Sequence, residues 1–350
     1  MSNTIWAVDG SFFAQRVSGI QRYSIELLAA LDRIVPPDFV EIVTPQGVTT
    51  PAYQNIRAVP FGTRRGLAWQ QLDYPEYLKR RGAKGLATCN IIPWFGFRGI
   101  AVVHDVCYRA RRDFYTSGRD RLSAAWHCLQ YRRIAQKAER IITVSEFSKS
   151  EIHKYYGVPL EKMNIVYNAW QQMQRLTPDD GIFAKHPQLQ RGAYYFSMAN
   201  LLKNKNFPWV LRAAKAKPGA VFAIAGGGSL AAEAERLGLA DLPNVLYLGY
   251  VADGEAKALM AHCKAFLFPT LYEGFGIPPL EAVACGTPEI IVSDTPCMRE
   301  VYGDCAAYID LSTNPGDVSA VTPPAAAPAA LLEKYSWDKS AAKLLEILER

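Results

Sequence analysis

The stretch AFLFPTLYEGFGIPPLEAVACG, residues 265–286, contains the repeating unit of the fold in a single piece. Its first six residues form a short apolar run typical of a buried strand, and LYEGFG, residues 271–276, is the loop that follows. Pro278 and Pro279 suit the first turn of a helix, where no amide donor is needed, and Gly286 suits its left-handed end. A strand followed by a loop and a helix predicts a parallel sheet covered by helices.

The same alternation runs through both halves of the chain and predicts an α/β protein with two Rossmann-like, doubly wound parallel sheets. We expect one domain over residues 1–180 and a second over 190–330, because the stretch between them is rich in Pro, Gly, Asp and Gln. A helix near 338–350 is predicted to pack back on the first domain. One helix of the first domain is predicted to start with Ser148 and Glu151 as a capping box and to end at Gly157.

Composition limits the class of protein. The 350 residues are 49% hydrophobic and 21% charged, which is ordinary for a soluble enzyme and excludes disorder. Seven cysteines without a Cys-x-x-Cys pair predict neither a disulfide framework nor a zinc site. No targeting segment or long apolar run is evident, so we expect a cytoplasmic location.

The loop at 271–276 predicts a pocket for phosphates with polyols on either side. Amides near a helix N-terminus attract phosphate, and the glycines of the loop permit close approach. Two acids would repel that phosphate if they faced it, but Glu273 and Glu281 make sense as acceptors for sugar hydroxyls. A nucleotide sugar has this distribution of groups.

The run FLFPTLYEGFGIPPLEAVACGTPEIIVSDTP resembles the donor-binding signature of family 4 retaining glycosyltransferases, with Glu273-x7-Glu281 as its specific part. VDG with GIQRY, VVHDV, RIITVSEFSKSEI, NKNFPWVLRA, AGGGS and NVLYLGYV resemble further landmarks of the family, in the family's order. The resemblance implies the GT-B fold, in which two such domains face a central cleft. It also implies transfer of a hexose, with mannose favoured, from a GDP- or UDP-linked donor to a glycan or lipid-linked saccharide of a surface polysaccharide or glycolipid.

Site residues follow from the resemblance. The catalytic group comprises Glu273, which contacts the transferred sugar, His104, which reaches the same sugar, and Lys205, which neutralises the pyrophosphate. The donor-binding residues implied are Glu281 on the ribose, the backbone of Phe275, Gly276, Ile277 and Gly19, and the main chain at Val251, which reads the base.

The sequence departs from the family before the lysine. Many members have an arginine where this chain has Ala199 or Asn200, and Lys203 is a candidate for the missing charge. No metal ion and no cofactor are expected, since no Asp-x-Asp pair stands at a strand end. The departing β-phosphate would take the acceptor's proton, so no dedicated base is implied.

Other functions stay open at this stage. A nucleotide-sugar epimerase of the same fold would act without an acceptor, and a non-catalytic subunit would bind donor without transferring it. A phosphorylase would need a cofactor lysine motif that is missing. AGGGS lacks the G-x-G-x-x-G spacing, which disfavours an NAD-dependent oxidoreductase.

Charge is unevenly distributed and suggests a partner. Residues 1–185 hold 25 basic and 16 acidic residues, whereas 186–350 hold 14 and 17. The segment GLAWQQLDYPEYLKRRGAK, residues 66–84, is a candidate amphipathic helix with Trp69, Tyr74 and Tyr77 beside Lys79, Arg80 and Arg81. An anionic membrane surface is therefore a candidate partner of the basic N-terminal domain, and nucleic acid is not expected.

Overall fold

The computed structural model describes residues 4–198 and 202–350, and these divide into two units. The first comprises the chain up to Asn168 together with Trp337–Arg350, and the second is Ala169–Ser336. Each unit is built on one parallel sheet. The chain thus passes from the first unit to the second and returns.

The first unit contains a seven-stranded sheet in the order β3-β2-β1-β4-β5-β6-β7, within the described residues. Its strands are Trp6–Asp9 (β1), Val40–Thr44 (β2), Arg57–Pro60 (β3), Lys84–Ala87 (β4), Gly99–Val102 (β5), Arg140–Thr143 (β6) and Met163–Ile165 (β7). Its helices up to Asn168 are Gly19–Asp32 (α1), Gly66–Ala68 (α2), Tyr74–Arg81 (α3), Cys107–Ala110 (α4), Gly118–Lys137 (α5) and Glu146–Tyr156 (α6). The strand order reverses direction between β1 and β4, so the sheet is doubly wound.

The second unit repeats this topology with six strands, in the order β10-β9-β8-β11-β12-β13. Its strands are Tyr194–Met198 (β8), Val221–Ala225 (β9), Val245–Gly249 (β10), Ala265–Phe268 (β11), Ile290–Ser293 (β12) and Ala307–Ile309 (β13). Its helices are Gln172–Arg175 (α7), Gly181–Lys185 (α8), Phe207–Ala216 (α9), Leu230–Arg236 (α10), Asp253–His262 (α11), Ile277–Ala284 (α12), Pro296–Tyr302 (α13) and Ala330–Lys334 (α14). Here the direction reverses between β8 and β11.

The last helix, Trp337–Glu349 (α15), completes the first unit. It packs along α1, with its Leu344 and Leu348 buried. The indole of Trp6 donates to the carbonyl of Leu348 at 3.1 Å, which ties the helix to the first strand. Tyr23 of α1 meets Trp337 edge to face, with 5.8 Å between ring centroids.

The predicted start of one helix in the first unit is wrong. The helix predicted to begin at Ser148 begins at Glu146, because the Ser145 side chain accepts the amide of Ser148 and caps it earlier. It does end at Gly157, which has a left-handed φ of 65°.

The aromatic residues of the 66–84 segment do not face solvent, contrary to the amphipathic prediction. Trp69 and Tyr74 are fully buried, and their polar atoms donate to the carbonyls of Phe61 and Ala7 at 2.7 Å each. The predicted single helix is interrupted by a π-helical turn, Trp69–Asp73. Because Trp69, Tyr74 and Tyr77 are all buried, these aromatic side chains are not available to contact a membrane.

Candidate active site

The loops that follow β8 and β11 meet at the point where the second sheet changes direction. The amide of Leu271 donates to the carbonyl of Asn204 at 2.7 Å, and the Asn204 side chain donates to the carbonyl of Tyr272 at 3.2 Å. Ligands of open parallel sheets bind beyond the carboxyl ends of the strands at such switch points. The topology therefore singles out this pair of loops in the second unit.

Lys205 and Glu273, both predicted from the sequence, form an ion pair there. The Lys205 Nζ lies 2.6 Å from the Glu273 Oε1, and the two side chains are only 21% and 13% exposed. The Asn204 Nδ2 lies 3.4 Å from the same carboxylate oxygen. Because the pair is largely shielded from water, its attraction is screened less than that of a surface pair, and the ammonium is fixed beside the loop.

Gly276 sets the path of the loop into α12. It has φ 83° and stands immediately before the helix. A Cβ at this position would lie 2.7 Å from the Met298 Cε and 3.1 Å from the Phe268 Cε1. Only glycine satisfies both the left-handed conformation and this crowding.

The start of α12 offers few amides, and one buried tyrosine organises them. Pro278 and Pro279 have no N–H. The Tyr302 hydroxyl donates to the Gly276 carbonyl and lies within hydrogen-bonding reach of the Leu280 amide. Burial raises the pKa of Tyr302 far above its ordinary range, so the hydroxyl keeps its proton and remains a donor.

The amides of Gly276 and Ile277 stand at the start of α12. Within residues 4–198 and 202–350 neither donates to a protein acceptor. Both belong to a helix N-terminus, where the partial positive charge of the backbone favours an anion. Together with the Lys205 ammonium they provide donors of the kind that phosphate needs.

Glu281 lies one turn into α12. The Gln172 Nε2 donates to its Oε1 at 2.9 Å, so the carboxylate is oriented by α7. Phe275, by contrast, is buried edge to face against Tyr335 with 5.1 Å between centroids, which leaves its backbone as the part that could meet a ligand. The two glutamates thus bracket the helix start along the chain.

Two further predicted donor residues have less definite surroundings. Lys203 is exposed in the same short 3₁₀ turn as Lys205. Val251 is buried after β10, the edge strand of the sheet. Ala199 and Asn200, where the sequence departs from the family pattern, lie outside the described residues.

His104 follows β5 in the first unit and is buried. Its Nε2 lies 2.9 Å from the Thr88 carbonyl, and its own amide donates to the Asn90 Oδ1 at 2.9 Å. Because a carbonyl only accepts, Nε2 carries the proton and Nδ1 has the lone pair. Burial lowers the pKa of His104 to about 4, so the ring is neutral at physiological pH and could accept a hydroxyl hydrogen at Nδ1.

Gly19 is the first residue of α1, also in the first unit. Ser18 caps this helix, and the Gln21 Oε1 accepts the Ser18 amide at 3.1 Å. The position is therefore a helix N-terminus, which favours a phosphate or hydroxyl near the backbone.

Several residues that shape these sites were not predicted from the sequence. Tyr302, Gln172 and Asn204 act through contacts between segments far apart in the chain, and no local pattern marks them. Thr88 and Asn90 follow β4, whose residues KGLA are too short and too weakly apolar to be recognised as a strand. Had β4 been recognised, Thr88 and Asn90 would have been candidates, because ligands bind beyond the carboxyl ends of parallel strands.

Among the described residues no cluster of three or more His, Cys, Asp or Glu side chains could hold a metal ion. In that same part of the chain, no helix combines the length and apolarity needed to cross a bilayer.

Comparison with known proteins identifies the family. Residues 17–170 match the model of Glycosyltransferase Family 4, and residues 179–320 match that of Glycosyl transferases group 1. The O-antigen chain mannosyltransferase RfbU of Salmonella typhimurium is 28% identical over 322 residues, which are 86% of this chain and 84% of the relative. The O-antigen chain mannosyltransferase B of Escherichia coli is 26% identical over 274 residues, covering 74% of this chain and 66% of that protein.

Solved structures agree with the fold. The Anabaena protein HepE, solved in complex with UDP and glucose, superimposes with a TM-score of 0.65 at 15% identity, covering 99% of both chains. WaaG, a glycosyltransferase involved in lipopolysaccharide biosynthesis, gives a TM-score of 0.61 at 14% identity, covering 99% of this chain and 90% of WaaG. With both of its units matched by glycosyltransferase models and its topology shared with these enzymes, the chain belongs to glycosyltransferase family 4 and is a glycosyltransferase of the GT-B fold.

Proposed function

We propose that this glycosyltransferase transfers a hexose, with mannose favoured, from a nucleotide sugar to a glycan or lipid-linked saccharide, and that the product keeps the anomeric configuration of the donor. The names of the two O-antigen mannosyltransferase relatives support mannose and a role in surface polysaccharide assembly. The observation that carries the proposal is the Lys205–Glu273 pair beside the amide-bearing start of α12.

The phosphates of the donor bind at the start of α12. The Lys205 ammonium and the amides of Gly276 and Ile277 neutralise the charge that grows on the leaving diphosphate. Lys203, exposed in the same 3₁₀ turn as Lys205, adds a second positive charge. These donors are fixed before the reaction, since the loop geometry is held by Gly276 and Tyr302.

The two glutamates bind the hydroxyl-bearing parts of the donor. Glu281, oriented by Gln172, accepts hydrogen bonds from the ribose. Glu273 accepts from hydroxyls of the transferred sugar, and its pairing with Lys205 couples sugar position to the phosphate charge. The main chain at Val251 meets the base.

Two further candidates, His104 and Gly19, lie in the first unit. Neutral His104 accepts a sugar hydroxyl at Nδ1, while its Nε2 stays bonded to the Thr88 carbonyl. The backbone at Gly19 contacts phosphate or acceptor. Neither group is charged, so their contribution is orientation.

In the reaction the bond from the sugar C1 to the β-phosphate oxygen breaks and a bond from C1 to the acceptor oxygen forms on the same face. The acceptor's proton passes to the departing phosphate oxygen, which becomes basic as the bond breaks. The chain's residues stabilise the charge separation and need supply neither a base nor a metal ion. Transfer takes place on the cytoplasmic side.

A donor panel tests this function. GDP-mannose, UDP-glucose, dTDP-glucose and ADP-glucose are compared by thermal shift. At a concentration of one hundred times its Kd, the true donor should stabilise the fold by about 2.7 kcal/mol and so raise the melting temperature. The bound donor is then incubated with lipid-linked acceptor, and the anomeric configuration of the product is read by NMR. An inverted product would refute retention, and binding of none of these donors would refute the donor class. Sugar conversion without acceptor would indicate an epimerase instead.

A matched pair of variants tests the ribose assignment. Glu281→Gln keeps the shape of the side chain but loses a charge-assisted hydrogen bond, so donor affinity should fall about 10- to 100-fold. Glu235→Gln, on the exposed face of α10, removes the same charge elsewhere in the unit and should leave affinity unchanged. Equal affinities of the two variants would remove Glu281 from the donor site.

A further inference from the structure

The carboxylate assigned to the ribose depends on a helix that is too short to be stable alone. Helix α7 has four residues, Gln172–Arg175, and the Gln172 Nε2 donates to the Glu281 Oε1 at 2.9 Å. A single helical turn forms too few hydrogen bonds to offset the entropy lost in ordering it. The orientation of Glu281 therefore depends on the contacts that fix α7 within the second unit.

Lys257 of α11 fixes the end of α7. Its Nζ donates to the carbonyl of Met173 at 2.7 Å and to that of Leu176 at 2.8 Å. The last carbonyls of a helix have no partner inside the helix and carry partial negative charge, so an ammonium is well suited to them. Lys257 is half-buried and makes no ion pair within residues 4–198 and 202–350, which leaves the two carbonyls as its protein partners there.

The first turn of α11 also holds the chain that leaves α7. The amide of Asp179 donates to the carbonyl of Gly254 at 2.9 Å. A Cβ at Gly254 would lie 2.8 Å from the carbonyl oxygen of Thr177, so this close approach of two backbones requires glycine. Gly254 and Lys257, here called the clamp, are three residues apart and so lie on the same face of α11.

The beginning of the α7 segment is held by different partners. The indole of Trp170 donates to the carbonyl of Leu332, in α14, at 3.1 Å, and the Gln171 Nε2 lies 3.4 Å from the carbonyl oxygen of Tyr335. The segment is thus tied near α14 at one end and to α11 at the other. Loss of the clamp would release only the end that follows Gln172.

Helix α12, which carries Glu281, packs against both α7 and α11. Burial raises the pKa of the Cys285 thiol, at the end of α12, to about 12; the Lys257 ammonium opposes this rise and the Glu281 carboxylate adds to it. Both charges therefore act in the same region of the unit. Helix α11 also begins two residues after Val251, so it connects the segment proposed to meet the base with the one that orients Glu281.

We propose that Lys257 is a positioning residue for ribose recognition: it fixes α7, and α7 presents Gln172, which holds the Glu281 carboxylate toward the ribose. This inference rests on the proposed function, in which Glu281 binds the ribose of the donor. A site built to bond a hydroxyl rejects an analogue that lacks it, because a buried polar group is then left unpaired. The preference for ribose over deoxyribose is therefore the property that Lys257 controls.

Calorimetry with paired nucleotides tests the full-length chain. GDP, UDP and ADP are each compared with their 2′-deoxy forms, and the parent chain should bind the ribonucleotide of one pair at least about tenfold more tightly. Lys257→Met removes the ammonium but keeps most of the side-chain volume, and it should lower that preference about threefold, because α7 loses one of its two attachments.

A second variant shows whether Lys257 acts through Gln172. Gln172→Met removes the amide that orients Glu281 and should lower the ribose preference about tenfold. If the effect of Lys257 passes through Gln172, the double variant should lose no more than Gln172→Met alone. A lysine that only stabilised the unit would instead leave the preference of each chain unchanged.

A matched control lies in the first unit. The Lys162 Nζ donates to the carbonyl of Ala135, in the last turn of α5, at 3.0 Å, and Lys162 is also half-buried. Lys162→Met removes the same kind of contact, so it should lower the free energy of unfolding in urea but leave the ribose preference unchanged. If circular dichroism shows Lys257→Met unfolded, Gly254→Ala displaces the same segment by another route and should lower the preference instead.

Three results would overturn the inference and leave the proposed function standing: an intact preference in the folded clamp variant, a further loss in the double variant, or an equal loss in Lys162→Met. A parent chain that binds none of the three pairs, or that binds both members of a pair equally, would refute the ribose assignment of Glu281 itself and the inference with it. An intact ribose preference in Glu281→Gln would have the same meaning. The two failures are therefore distinguishable.

Discussion

A methyl group added at Gly276 should damage both the stability of the second unit and its binding of donor. In Gly276→Ala the new Cβ meets the Met298 Cε at 2.7 Å and the Phe268 Cε1 at 3.1 Å, and the residue must keep a φ of 83°. The left-handed conformation costs about 1–2 kcal/mol for a non-glycine residue, and overpacking of a filled core costs about 1–3 kcal/mol. The sum is about 2–5 kcal/mol.

The structure offers a matched control at the other end of the same helix. Gly286 has a φ of 88°, but a Cβ there has no atom within 4 Å. Gly286→Ala should therefore show only the conformational cost, about 1–2 kcal/mol. The difference between the two variants measures the crowding around Gly276.

Urea unfolding and calorimetry with the donor found in the panel provide the measurements. Relief of the clash would move the loop and, with it, the amides of Gly276 and Ile277 that we propose as donors to the diphosphate. Donor affinity should fall at least about tenfold in Gly276→Ala and stay unchanged in Gly286→Ala, since one misplaced charge-assisted hydrogen bond is worth about 1.5–3 kcal/mol. Equal destabilisation of the two variants, or full donor affinity in Gly276→Ala, would refute this reasoning.

Tyr302→Phe should weaken donor binding and cost about 1–3 kcal/mol in urea unfolding, because a buried carbonyl and an amide lose their shared hydroxyl; wild-type values for both would show that the hydroxyl does not organise the loop. Lys205→Gln should lower kcat more than donor affinity, since the proposed charge on the leaving diphosphate grows in the transition state. The exposed control Lys215→Gln should leave kcat unchanged. Steady-state kinetics that give the two variants equal kcat values would disprove the phosphate role of Lys205. His104 should make the free energy of unfolding depend on pH. Its pKa in the folded chain is about 4, below the ordinary 6.5, so between these pH values the unfolded chain binds a proton that the folded chain does not. The free energy of unfolding should therefore fall by about 3 kcal/mol as the pH drops from 6.5 to 4. His104→Gln should lose that part of the pH dependence of urea unfolding and His186→Gln should retain it; an unchanged slope in His104→Gln would contradict the burial argument.

The strand and helix pattern could be predicted wherever apolar runs were strong and ends were marked. The strand at Ala265–Phe268 and the helix from Ile277, with its two prolines, are where the sequence placed them. Four short strands, β3, β4, β7 and β13, were missed because three or four residues with glycine, proline or polar neighbours give no usable alternation. Their positions depend on pairing with other strands.

Helix α5 shows that the apolar residues of a helix do not always mark the face that packs into the core. Its leucines face solvent and a glutamine, Gln130, faces the core, where it accepts the amide of Ile92. Apolar residues at helical spacing mark the core-facing side of a helix only if they pack into the core, and the leucines of α5 do not. In the 66–84 segment the amphipathic prediction was wrong, because Trp69, Tyr74 and Tyr77 are buried and a π-helical turn interrupts the helix.

In the candidate site, the residues at strand ends were predictable and their partners were not. Glu273, Lys205 and Glu281 lie in loops or helix starts that topology brings to one edge of the sheet. Gln172 bonds to Glu281 from another helix, 109 residues away, and Tyr302 bonds to the carbonyl of Gly276 from α13. Such pairs are fixed by packing, which a single sequence does not display.

The return of α15 to the first unit has a consequence for biosynthesis. The partner surface of α1 stays uncovered on the ribosome until Trp337–Glu349 has emerged, and all of Ala169–Ser336 is translated in between. At about 5–20 residues per second this is an interval on the order of ten seconds. During that time the second unit can fold completely, whereas the apolar surface of α1 that α15 covers is still exposed. We therefore expect the synthesis of the last helix to determine how far the chain depends on chaperones.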